Sequence, residues 1–254
     1  METEKEVLIK VRNVSKSFGG VKALTNVSFD LFKKEVLGII GPNGSGKTTL
    51  VNTITGFYKP DSGEVLFKDK KITGWPPWKV ADLGIARTFQ IARPYLSLRA
   101  YKNLIVPLWS SRARQFASSR GGDRDAVAID LLEEVGFERD AYVPYKFASA
   151  LPLGYLKRLE LARCLALRPE VIICDEVFSG LSMSEIASMI PLIERLRIKG
   201  ATLIMVEHRL RELFSVADKV IMLDFGEKIA EGKPEQVMGE ERVKRAYLGE
   251  EIEV

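Results

Sequence analysis

The sequence predicts a mixed α/β fold with an antiparallel β part at its start and a helical part inserted into its core. Three observations predict it. Val27, Phe29 and Leu31 alternate with Ser28 and Asp30, the period of a half-buried antiparallel strand. The continuous apolar run Val36–Ile40 reads as a fully buried strand and passes through a glycine-rich turn into a helical pattern. From residue 91 to 167 the texture is mostly helical, after which short apolar runs return at 171–174, 201–206 and 219–223.

Each element follows in order. The helix after the first buried strand reads from the glycine-rich turn to about Gly56. Lys59-Pro60-Asp61-Ser62-Gly63 is turn chemistry leading into a strand at 64–68. Within the helical part, 125–135 is an amphipathic helix, and 110–123, rich in Ser, Arg and Gly, reads as an exposed loop. Asp224-Phe225-Gly226 predicts a tight hairpin into 228–230, and 234–248 is again helical. The expected division is therefore a core of residues 1–90 and 168–254 around a helical part of residues 91–167.

Bulk properties bound the function. A chain of 254 residues, 46% hydrophobic, can bury a sizeable core, and its net charge of +4 gives no argument for nucleic acid. Cys164 and Cys174 suggest no disulfide framework and fit a reducing compartment. The N-terminus lacks the apolar core of a secretory signal. No apolar run approaches the roughly 20 residues of a spanning helix, so any link to a membrane runs through partners or lipid contact.

The strongest local signal is Gly41-Pro42-Asn43-Gly44-Ser45-Gly46-Lys47-Thr48, which matches G-x-x-x-x-G-K-[ST] in full, between a strand and a helix. Glycines let the backbone wrap closely enough for its N–H groups to reach phosphate oxygens, and the helix N-terminus adds a favourable field. Lys47 is placed to reach β- and γ-phosphates, and the Thr48 hydroxyl to ligate Mg²⁺, with Thr49 beside it in the cradle. A second apolar strand ends in Asp175-Glu176, at the edge where open α/β sheets bind ligands. Asp175 can help hold the Mg²⁺ shell, in part through water, and Glu176 can serve as general base toward an attacking water. His208, the sole histidine, follows the strand at 201–206 and is expected near the γ-phosphate; Gln90 is a candidate for Mg²⁺ or for the attacking water.

In order and over nearly the whole chain, these pieces resemble the ATP-binding cassette family of phosphate-loop ATPases. The resemblance implies ATP with Mg²⁺ as cofactors. It makes Gln90 the glutamine-loop residue, Ser179-Gly180-Leu181-Ser182 the loop signalling between subunits, His208 the switch histidine and Phe18 the aromatic that stacks on adenine. ARTFQIARPYLSL, VEHRL, IAEGKPEQVM and VKRAYLGEE look like the subgroup that energises uptake of branched-chain amino acids. Such importers imply a second, related ATPase subunit in a heterodimer, two permeases, an external binding protein, and a peripheral place on the cytoplasmic face of the membrane. A cassette ATPase acting in DNA repair or another non-transport role is the alternative, though the chain has no room for the long insertions of the repair type.

One segment departs from the family. Its signature usually reads Leu-Ser-Gly-Gly-Gln, whereas Leu151 is followed here by Pro152, Leu153, Gly154 and Tyr155. In the family this segment acts in trans on the partner's γ-phosphate, and Pro152 offers neither a hydroxyl nor an N–H. Val177 stands where proline commonly follows the catalytic glutamate. The resemblance implies one good and one weak ATP site in a heterodimer.

Overall fold

The computed structural model describes residues 6–90, 93–116 and 123–248. The chain divides into two compact units: one joins the stretch up to residue 80 to the stretch from 196 onward, and the other spans residues 81–195.

The first unit begins with β1 (Val7–Phe18) and β2 (Val21–Phe32), an antiparallel hairpin in which Val11 faces Phe29 and Val14 faces Val27. Val27, Phe29 and Leu31 are buried, as their alternation requires. Next come β3 (Val36–Ile40), buried at all five positions, and α1 (Lys47–Ile54). β4 (Ser62–Phe67) pairs with β1, and the short β5 (Lys70–Lys71) edges a sheet of order β2-β1-β4-β5. α2 (Pro77–Leu83) leads out of this unit.

The second unit holds β6 (Ile85–Arg87), α3 (Ile105–Leu108), α4 (Ser111–Phe116), α5 (Arg124–Glu134), α6 (Leu153–Ala166) and β7 (Val171–Asp175). α7 (Met183–Ile198) leads out of it. α5 starts where capping chemistry places it, the Asp123 carboxylate accepting from the Asp125 N–H. β6 and β7 run parallel, with Arg87 opposite Ile173. Both cysteines are free and buried, and burial pushes the Cys164 thiol well up, so neither contributes a cross-link.

The chain returns to the first unit with β8 (Thr202–Val206), α8 (Leu210–Phe214), β9 (Lys219–Asp224), β10 (Glu227–Gly232), α9 (Pro234–Gly239) and α10 (Glu241–Leu248). There β10, β9, β3 and β8 lie in that order, parallel except for β10. Parallel strands buried on both faces account for the continuous apolar runs in β3 and β8.

Two expectations need correction. The stretch 110–123 is not simply an exposed loop: Ser111–Phe116 is helical, and Arg112 is buried, donating to the carbonyls of Arg168 and Leu83 and pairing with Glu170. Caged backbone oxygens order a segment whose composition alone reads as solvated; the rest of that stretch up to Gly122 lies outside the described residues. The C-terminal helical segment is two helices, because Glu240 adopts an extended backbone between them.

Candidate functional site

In the first unit, β3 aims its C-terminal end at the glycine-rich loop. Gly41 (φ 143°) lies so close to β9 that a Cβ there would come 2.1 Å from the Leu223 carbonyl oxygen, which leaves glycine as the fitting residue. Gly46 (φ 103°) caps α1 in a left-handed conformation with no side-chain cap. α1 thus presents its N-terminus to the loop. The Gly226 amide donates to the Ser45 carbonyl, tying the loop to the β9–β10 hairpin. Lys47 is buried, with its ammonium donating to the carbonyls of Gly41 (2.6 Å) and Pro42 (2.7 Å). The Ser45 hydroxyl is buried with no hydrogen-bond partner among the described residues. Asn43, Gly44 and Thr48 are exposed and Thr49 partly so. Backbone and hydroxyl groups gathered around one cation at a helix N-terminus have the chemistry that suits phosphate oxygens.

Parallel pairing brings His208 to the same edge. Ile39 is in register with Val206, so the residues after β3 and after β8 leave the sheet side by side. Glu207 is buried and His208 exposed. Phe18 closes β1, is 43% exposed, and packs edge-on against Tyr58 with ring centroids 5.1 Å apart. Lys16 lies 5.5 Å from its ring.

In the second unit, β7 delivers Asp175 and Glu176. Asp175 is buried; its amide donates to the Thr88 hydroxyl (3.2 Å), and its carboxylate takes the Arg87 guanidinium at 2.6 Å. Glu176 has φ 49°, an uncommon conformation for a non-glycine residue. The Gln90 side-chain amide donates to the Glu176 carboxylate at 2.7 Å, so two of the expected groups are joined directly. Below them the buried Lys157 donates to the carbonyls of Gln90 (2.6 Å) and Glu176 (3.1 Å).

The signature segment forms the start of α6. Pro152 occupies the cap position without a side-chain cap, and Leu153 is 41% exposed. Gly154 is pressed against Glu185 of α7, where a Cβ would lie 2.7 Å from Oε1. The Ser182 amide and hydroxyl hold Glu185 at 2.9 and 2.8 Å, and the Gly154 amide adds a third bond. Together they keep this carboxyl below the usual range. Tyr155 stacks edge-on against Phe137 and donates its hydroxyl to Glu138 at 2.6 Å. That bond lowers the Glu138 pKa and raises that of Tyr155. Gly154 and Tyr155 thus have partners inside their own unit.

Arg87, Lys157 and Glu185 escaped the sequence reading. Arg87 stands one residue beyond the nearest apolar pair of β6, and Lys157 is one cation among several on α6; neither spacing singles out its partner. Glu185, three residues after Ser182, had the signature of a capping box and could have been found.

Comparisons with known proteins bear on the whole chain. The ABC transporter family model matches residues 24–179. A second model, of the branched-chain amino acid ATP-binding cassette transporter, matches residues 227–253. The chain is 35% identical to the high-affinity branched-chain amino acid transport ATP-binding protein LivG of Escherichia coli K12, covering 96% of this chain and 98% of that protein. It is 31% identical to the lipopolysaccharide export ATP-binding protein LptB of Haemophilus influenzae, covering 97% and 99%. Among solved structures, the ADP conformation of MJ1267, an ATP-binding cassette of an ABC transporter, superposes with a TM-score of 0.81 at 32% identity, over 96% and 99% of the two chains. No helix among the described residues is long and apolar enough to cross a membrane. Similar to these cassettes over nearly its whole length, the chain belongs to the ABC transporter family, whose ATP-hydrolysing subunits work with transmembrane permeases.

Proposed function

We propose that this chain is the ATPase subunit of an importer for branched-chain amino acids, peripheral to the cytoplasmic face of the membrane and paired with a different ATPase subunit. The observation that carries the cargo assignment is the match of the subgroup model to residues 227–253, beside the similarity to LivG. An external binding protein and two permeases complete the complex.

The loop residues Gly41 to Thr49 hold the phosphates, Phe18 meets the adenine, and Lys47 exchanges its two loop carbonyls for phosphate oxygens. Mg²⁺ fits the donors present. The Thr48 hydroxyl of the first unit, and the Asp175 carboxylate and the amide oxygen of Gln90 of the second, are the kind of oxygen donor such a hard cation takes. When bound, Mg²⁺ offsets the charge of the phosphate oxygens. Glu176, oriented by Gln90, takes the proton of the attacking water, and His208 senses the γ-phosphate.

Residues 91–167 form the helical part that meets the permeases. Exposed Leu96, Leu98 and Phe147 support this: the strip carrying the first two pairs with the strip carrying the third, the Ala148 amide donating to the Leu98 carbonyl at 2.9 Å. The segment from Pro152 to Tyr155 makes this chain a weak partner for the opposite ATP site. Its Gly154 amide is already engaged by Glu185, and Pro152 has none.

Reconstitution tests the proposal. The complex with its permeases should hydrolyse ATP faster when a loaded branched-chain binding protein is added, and crosslinks from a permease should fall within 91–167. Removing Glu176 should nearly abolish hydrolysis, while removing the partner's catalytic glutamate should cost little. Equal losses, or transport of an unrelated cargo only, would overturn it.

A further inference from the structure

We infer that Arg87 is a positioning residue, the resting counter-ion of Asp175, which keeps that carboxylate from binding free Mg²⁺ until a triphosphate brings the ion. The inference rests on the reading of Asp175 as part of the Mg²⁺ shell.

The arrangement comes from strand register. β6 and β7 are parallel neighbours with Arg87 opposite Ile173, so the Arg87 side chain reaches the end of β7 where Asp175 sits. Their side chains are 7% and 4% exposed and 2.6 Å apart. Thr88 continues the pairing, its amide donating to the Ile173 carbonyl and its hydroxyl accepting from the Asp175 amide. Phe89 stacks beside the guanidinium, 5.2 Å from its ring centre. A carboxylate this buried needs a cation. Arg87 supplies a fixed one, and the pair together is neutral.

Neutrality has a chemical consequence. Free Mg²⁺ arriving at Asp175 would have to loosen a short, charge-assisted contact and share the site with a guanidinium. Mg²⁺ on a triphosphate meets a different balance, because phosphate charges offset both cations. Arg87 thereby favours the nucleotide-borne ion over the free one. It also gives the carboxylate a partner to return to when products leave. Weakening by one charge-assisted bond corresponds to roughly ten- to a hundredfold in apparent affinity for free Mg²⁺.

The test uses the full chain and follows its melting temperature with MgCl₂ alone, and then with MgCl₂ and ATP. Wild type should show no Asp175-dependent stabilisation by Mg²⁺ alone, judged against Asp175→Asn, and clear stabilisation by Mg²⁺ with ATP. Arg87→Gln, which keeps a neutral donor, should gain stabilisation by Mg²⁺ alone, at concentrations about tenfold or more below any wild-type response. The double variant with Asp175→Asn should lose that gain. A merely structural Arg87 would lower the melting temperature without creating a response to Mg²⁺. Equal responses in wild type and Arg87→Gln overturn the inference. Should Arg87→Gln fail to fold, the wild-type comparison decides: Asp175-dependent stabilisation by Mg²⁺ without nucleotide overturns it, and its absence supports it. Loss of the response to Mg²⁺ with ATP would instead count against the nucleotide reading itself.

Discussion

Lys157→Met isolates the support beneath the two candidate catalytic side chains. The ammonium of Lys157 holds the backbone carbonyls of Gln90 and Glu176, residues 86 positions apart in sequence. Methionine fills much of the same volume and leaves both oxygens without that donor. The Gln90 carbonyl belongs to an exposed residue and rehydrates cheaply. The Glu176 carbonyl is partly enclosed and loses the larger share, about 1–3 kcal/mol. The destabilisation should be about 2 kcal/mol, read as a lower midpoint in urea. Turnover should fall further than stability suggests. With the Glu176 carbonyl released, its carboxylate drifts, and a displacement of about 1 Å at a reacting centre costs on the order of a hundredfold. Turnover at saturating Mg²⁺ and ATP, measured well below the urea transition, separates the two effects. A variant within about 0.5 kcal/mol of wild type and within about twofold in turnover would refute the reasoning.

Glu176→Gln should retain ATP binding while phosphate release falls at least about a hundredfold, since the base is lost and the receptor around Lys47 is intact. Gly41→Ala should abolish ATP binding in a filter assay and lower stability, because its methyl meets a backbone oxygen at 2.1 Å that cannot swing aside. Tyr155→Phe addresses pH. The folded Glu138 pKa is depressed, so its contribution is present above the ordinary carboxylate value of 4.5 and lost as pH falls through the lower folded value. The Tyr155 pKa is raised, so its contribution is present below 10.0 and lost as pH rises through the higher folded value. Removing the hydroxyl should flatten both limbs of melting temperature against pH, and unchanged limbs would exclude this bond as their source.

How much could be read in advance depended on whether a residue's neighbours were also its partners. The glycine-rich loop was legible because Lys47 binds the carbonyls of Gly41 and Pro42 within a few positions. β2 was legible because its period of two is unbroken from Val27 to Leu31. β1 was not, since register shifts between Val7 and Ile9 and between Val11 and Val14 put Leu8 and Ile9 both inside and erase the alternation. Arg112 made a helix of what composition called a loop, through carbonyls 29 and 56 residues away. Arg87 and Lys157 belong to the same class: their meaning lies in strand and helix neighbours that no local pattern records. The Asp175-Glu176 pair stood out as two acids at a strand end, while the cations bound to it had no local signal.

The left-handed backbone of Glu176 carries a cost of another kind. Such a conformation in a non-glycine residue holds on the order of 1–3 kcal/mol of strain. Glycine or asparagine at that position would relax the chain, so the replacements that most readily stabilise the fold there are the ones that remove its candidate base. Random drift, or a laboratory selection scored on melting temperature or expression alone, is therefore pulled toward an inert protein at this codon. Only selection on transport itself holds glutamate in place, and a screen for sturdier variants of this chain must keep position 176 out of its library.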